Sequence, residues 1–156
     1  ALDDYFGDYE VYSSEELLYE EIENFGYNFK GFVDAVVKVG DTYHIFDWKT
    51  CSWGWDSRKK AEKLVTYQLT LYKHFFCQKH NLDPKKVETH FALLKRTAKK
   101  DRVEIFRVTS GPKKTENALK LLYQAIYNIQ KGFTIKNKLN CRKPYPCSLY
   151  NTEHCS

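Results

Sequence analysis

Asp34 and the pair Asp47 and Lys49 interrupt two neighbouring apolar stretches, Gly31 to Val37 and Tyr43 to Trp48. Asp47 and Lys49 are two apart, so in an extended strand they project from the same face. If the two stretches pair as a hairpin, Asp34 comes close to them, and two carboxylates converge with one amine beside a sheet. Hydrolysis of a phosphodiester needs such a set. The phosphate is anionic and repels hydroxide; carboxylates can hold a divalent ion through oxygen; that ion neutralises charge and lowers the pKa of bound water. A nearby lysine can orient the water and stabilise charge developing in the transition state. The competing explanation is an internal ion pair with Lys49, since a lone D-x-K is common on solvated strands. Burying carboxylates is costly without compensation, and one lysine compensates one carboxylate more easily than two.

Gln68 and Tyr72 stand four apart, on one face of a helix, in a run that also carries Leu64, Val65 and Phe75. A glutamine on a core-directed stripe needs polar partners. A site residue satisfies that need, and so does a core glutamine bonded to backbone with Tyr72 packed beside it.

The elements that must position these groups follow from periodicity and turn residues. Residues 27–39 read as a strand apolar on both faces, Gly40-Asp41 as a turn, and 42–50 as the second strand of a hairpin. Asp56 or Ser57 caps a helix over about 57–80, with Ala61, Leu64, Val65, Tyr72, Phe75 and Phe76 as its stripe. Asp83-Pro84 breaks it. Residues 86–96 and 102–109 form a second hairpin. Pro112 starts a last helix, buried through Ala118, Leu122, Ala125, Ile126 and Ile129, and Gly132 ends it. Residues 15–24 fit neither period; Ser13 with Glu16 could form a capping box. From about 136 the tail is irregular. Together these predict an α/β fold, a mixed central sheet flanked by helices, in one domain over 1–156 with a core of about 15–132.

In order and spacing, Gly31-Phe32-Val33-Asp34, then Phe46-Asp47-Trp48-Lys49-Thr50, then Gln68-Leu69-Thr70-Leu71-Tyr72 resembles the RecB-like and Cas4-like branch of the PD-(D/E)XK nucleases. The resemblance is strong over 27–76 and holds only in outline elsewhere. It implies a restriction-endonuclease-like fold, Asp34 and Asp47 as ligands of Mg²⁺ or Mn²⁺, Lys49 as the catalytic lysine, and Gln68 and Tyr72 as a helix motif that shapes the site and its DNA contacts. It implies a metal-dependent deoxyribonuclease, preferably an exonuclease on single strands or ends, serving recombination, repair or viral DNA processing. An endonuclease comes next, then a non-catalytic DNA-binding domain of the same fold, then a small metal-stabilised interaction module. The family often has a further ligand upstream, for which Glu16, Glu20, Glu21 and Glu23 are candidates. Some relatives carry an iron–sulfur cluster on one early and three late cysteines. Cys141, Cys147 and Cys155 resemble the late trio but lack the early partner, which leaves a cluster, a zinc site completed by His154, or plain thiols.

Composition sets the outer bounds. Forty-two per cent hydrophobic residues argue against disorder, and no run approaches the roughly 18 apolar residues of a membrane span. The net charge of +5 permits a polyanionic partner. Arg58, Lys59, Lys60 and Lys63 beside Trp53 and Trp55 suit the phosphates and bases of DNA; a solvated helix face and packed rings are the bland alternative. Lys95, Arg96, Lys99, Lys100 and Arg102 cluster at a hairpin tip, where solubility explains them equally well. An odd count of five cysteines fits a reducing compartment better than a secreted disulfide framework; the resemblance implies a bacterial, phage or other viral cytoplasmic setting, with nucleus and mitochondrion left open. The absence of Met and the start at Ala1 suggest a fragment or processed product.

Overall fold

The computed structural model describes residues 1–134, 141, 147–150 and 152–153. Five strands form one sheet in the order β1-β2-β3-β4-β5: β1 (Glu10–Ile22), β2 (Tyr27–Val39), β3 (Thr42–Cys51), β4 (Val87–Lys95) and β5 (Val103–Val108). Pairing is antiparallel except between β3 and β4, which run parallel. A parallel pair needs a crossover, supplied here by α2 (Ser57–Lys60) and α3 (Lys63–His80). A short α1 (Leu2–Phe6) precedes the sheet and α4 (Pro112–Gln130) follows it. The expected mixed sheet flanked by helices is what forms.

Two units divide the chain, Ala1–Leu122 and Tyr123–Ser156, with the boundary inside α4. The first contains the whole sheet. On one sheet face Val37, Phe46 and Ala92 pack with Leu2, Phe6 and Ile105. The alternate positions of β3, Ile45 and Asp47, point the other way, toward α3, whose Leu69, Phe75 and Phe76 are fully buried. With both faces covered, β3 buries four consecutive residues, His44 to Asp47.

Several expectations need correction. The ambiguous stretch is a strand, β1. Ser13 does donate to Glu16, at 2.5 Å, but the bond spans an irregularity in that strand and caps no helix; Glu15 sits at φ 50°. The helix expected over 57–80 is broken at Ala61-Glu62, where Glu62 leaves helical backbone (ψ 123°) and α3 begins anew. Lys60 is bonded to Glu104 and lies over Phe106, whereas Ala61 and Leu64 are exposed and give the stripe nothing to bury there. Nor is β2 buried on two sides throughout, for Phe32 is 52% exposed. In α4, Ala118 and Ile126 are buried, while Ala125 and Ile129 are exposed; periodicity marks an apolar face without supplying its cover. Gly132 does end α4, at φ 66°, with its N–H and that of Phe133 returning to the carbonyls of Ile129 and Asn128.

Among the described residues no helix is long and apolar enough to cross a membrane.

Candidate active site

Where β2 leaves β3, the ladder ends in a side chain. The register from Val39 and Thr42 runs only as far as Ala35 opposite Phe46. Beyond it, the backbone N–H of Trp48 donates to Asp34 Oδ2 at 2.7 Å, so a carboxylate takes the place of the next ladder carbonyl. This turns Asp34 toward the strand bearing Asp47 and Lys49. Among the described residues its other oxygen has no hydrogen-bond donor.

Asp47 is 3% exposed. Gln68 Nε2 donates to its Oδ1 at 2.9 Å, and Lys49 Nζ lies 2.6 Å from its Oδ2. That contact is a close ion pair, and Lys49 is the partner of this buried oxygen. Burial raises the Asp47 carboxyl above its ordinary value; Lys49 opposes the shift and the negative charge of Asp34 adds to it. The charge of Asp34 thus acts on Asp47, and one ammonium is shared by a site holding two carboxylates. A divalent cation would meet that deficit, and an oxygen-only donor set is the kind that hard cations take. These residues fit such an ion.

A relay from α3 supports the carboxylate. The Gln68 amide also meets the Tyr72 hydroxyl, at 3.2 Å. The Tyr72 ring lies edge-on to Phe29 at 6.2 Å, and Phe29 stacks on Phe75 at 4.2 Å. Gly31 of β2 permits this approach: a Cβ there would stand 2.8 Å from Tyr72 Cε1. Lys49 Nζ lies 5.9 Å from the centre of the Phe91 ring, a face that favours a cation. Asp34, Asp47, Lys49, Gln68 and Tyr72 are thus brought to one place, within the first unit.

The upstream acids separate. Glu16 is held by Lys79 at 2.8 Å and His80 at 2.5 Å, near the end of α3, and these bonds, with Ser13, outweigh its burial and lower its pKa. Glu21 and Glu23 are exposed. Glu20 pairs across the strands with Phe29, so it shares the face on which Phe29 meets Tyr72.

Around the site the two tryptophans differ. Trp55 packs against Phe91 and Phe106, while Trp53 is 80% exposed. Lys59 pairs with Glu62 and Lys60 with Glu104; Arg58 and Lys63 are exposed. Lys95 lies 3.9 Å from Glu104, and the other basic residues of its cluster are exposed. In the tail, the Cys147 N–H donates to the Cys141 carbonyl at 3.0 Å. Cys155 and His154 lie outside the described residues, and with them the completeness of any cysteine site.

A group that sequence reading missed lies on the other sheet face. His44, Glu88 and His90 offer ligand atoms all within 4.8 Å of one another. Burial lowers the pKa of both histidines, that of His90 to about 3. Alternation offered a signal, because His44 shares a face with Phe46, but only the parallel pairing of β3 and β4 brings in the other two.

Comparison with known proteins comes down to one family and a shared fold. The sequence model of the PD-(D/E)XK nuclease superfamily matches residues 3–155. No curated protein matches the sequence. Among solved structures, a protein of Eubacterium rectale provisionally described as an exonuclease aligns with a TM-score of 0.57 at 16% identity, covering 94% of this chain and 57% of that one. The protein SSO0001 aligns with a TM-score of 0.50 at 16% identity, covering 81% and 53%. At such identity these likenesses speak for the fold, and the chain spans little more than half of either neighbour.

Proposed function

The chain belongs to the PD-(D/E)XK nuclease superfamily, and from that premise we propose that it hydrolyses DNA phosphodiester bonds with Mg²⁺ or Mn²⁺ held by Asp34 and Asp47. The observation that carries this reading is the convergence of Asp34, Asp47 and Lys49, with the buried Asp47 carboxylate 2.6 Å from the Lys49 ammonium and Asp34 hydrogen-bonded to the backbone between them. A cation held by Asp34 and Asp47 would neutralise phosphate charge and ease ionisation of a water to hydroxide, the nucleophile. Lys49 has a side chain one-third exposed and can reach substrate from the site; its ammonium hydrogen-bonds where negative charge builds on phosphorus-bound oxygen. Gln68 holds Asp47 by one oxygen, and the other faces the Lys49 ammonium. Tyr72 fixes the Gln68 amide.

The preferred substrate is a single strand or a DNA end. Trp53, exposed just beyond β3, offers a stacking face to an unpaired base, and Arg58 and Lys63, also exposed and further along the chain, suit phosphates. Base–aromatic stacking contributes about 1–3 kcal/mol. Trp53→Ala is therefore expected to weaken binding of a single-stranded oligonucleotide by roughly 5- to 150-fold, with duplex binding and melting temperature nearly unchanged. Equal losses on both substrates in a fluorescence anisotropy titration would remove Trp53 from this role.

The direct test is cleavage of labelled linear, circular and single-stranded DNA in Mg²⁺, Mn²⁺ or EDTA. Cleavage of linear and single-stranded DNA, lost in EDTA, supports the reading. Cutting of closed circles makes it an endonuclease. Tight binding with no cleavage under any metal makes it a DNA-binding module. Gln68→Leu is expected to slow cleavage by about 10²-fold, because it strips a donor from a buried carboxylate; a rate within twofold of the parent would show that Gln68 only packs.

A further inference from the structure

His44 on β3 and Glu88 and His90 on β4 share the sheet face opposite α3. His44 stands level with Glu88, and Phe46 with His90. His44 Nδ1 lies 3.0 Å from His90 Nε2. Glu88 Oε2 is 3.7 Å from the first nitrogen and 3.9 Å from the second. A point equidistant from atoms so spaced is about 2.1 Å from each, matching a zinc–imidazole bond of about 2.0–2.1 Å. The other carboxylate oxygen, Oε1, meets Arg107 Nη2 at 2.8 Å. Arg107 thus orients Glu88 from outside and leaves Oε2 directed at the histidines, the support that ligating carboxylates commonly receive.

A hydrogen bond between the imidazoles accounts for their own contact and leaves Glu88 Oε2 unexplained. That oxygen is aimed at two nitrogens and bonded to neither, since both distances exceed hydrogen-bond range. We propose that His44, Glu88 and His90 bind a divalent ion of the zinc class, at a site separate from Asp34 and Asp47. Two imidazoles and one carboxylate suit such borderline ions, whereas all-oxygen sites suit Mg²⁺ and Mn²⁺. The ion ties β3 to β4 three residues before Asp47, under α1, whose Phe6 ring lies 4.5 Å from that of His44. The site does not depend on the nuclease reading.

The test uses the full chain freed of metal with EDTA, alone and in a background carrying Asp34→Asn, Asp47→Asn, Cys141→Ser, Cys147→Ser, His154→Ala and Cys155→Ser. These changes silence the other candidate ligands. Zn²⁺ at 100 times its dissociation constant is expected to raise the melting temperature by about 5 °C or more in both proteins. His44→Ala and His90→Phe are expected to abolish the shift, and Arg107→Ala to weaken Zn²⁺ binding by about 10-fold. No shift in either protein, or a shift that survives both histidine changes, would overturn the site. Should a histidine variant not fold, imidazole nitrogen NMR of the unsubstituted protein decides: Zn²⁺ must move His44 Nδ1 and His90 Nε2, and unmoved resonances refute the proposal.

Discussion

Asp47→Asn is expected to abolish DNA cleavage, by at least about 10³-fold in turnover, while leaving the protein as stable as before or more so. A carboxamide keeps the shape of Asp47 and can still accept from Gln68, but it supplies neither the charge nor the second anionic oxygen that would hold a cation. The stability half follows from the raised carboxyl. Burial lifts the folded value above the unfolded 3.8, so the folded chain binds the proton more tightly, and stability falls as pH rises through that window. At neutral pH the penalty is fully present, and a neutral isostere removes it. Thermal melting with and without EDTA, beside a single-turnover assay, checks both halves. Lys49→Ala is expected to slow cleavage by about 10²- to 10³-fold, but also to lower the melting temperature, because it strands a buried carboxylate. Activity that survives both changes would place the chemistry elsewhere. An Asp47→Asn protein that is inactive because it is unfolded would contradict the stability argument.

Gly31→Ala is expected to damage the site without touching it. The new Cβ would stand 2.8 Å from Tyr72 Cε1 and 3.1 Å from Phe29 Cε1. Phe29 is stacked on buried Phe75, so Tyr72 must move, and it carries the Gln68 amide with it. Overpacking of this kind costs about 1–3 kcal/mol, several degrees of melting temperature in a chain of this size. Cleavage should drop by about 10-fold or more through the displaced Gln68. Tyr72→Leu in the same chain relieves the clash and should recover most of the stability, but less of the activity, because the hydroxyl that steadies Gln68 is gone. Full activity in Gly31→Ala would mean that the Tyr72–Gln68–Asp47 relay does not govern the chemistry.

Much of this site could be read in the sequence because its parts are local. Asp47 and Lys49 share a strand and Gln68 and Tyr72 a helix, so period alone aligns each pair, and Gly40-Asp41 closes the hairpin. The hydrogen bond from Trp48 to Asp34 could not be read: it depends on β2 parting from β3 after Ala35, a strand divergence with no residue signature. Residues 15–24 resisted because β1 carries Glu16 and Glu20 on the side that also buries Leu18 and Ile22, and an irregularity at Glu15 spoils the alternation. The break at Ala61-Glu62 escaped because Lys60 is drawn to Glu104, far along the chain. His44, Glu88 and His90 meet only through parallel pairing of strands 43 to 95, a non-local fact that periodicity does not carry.

Two carboxylates facing one cation site are what the nuclease reading rests on, and crystals soaked in Mn²⁺ test this most directly. Anomalous scattering at the manganese edge is predicted to give a peak between the Asp34 and Asp47 carboxylates, absent from crystals of the Asp47→Asn protein. A well-ordered site with no manganese between these carboxylates, at concentrations that support cleavage, would contradict it.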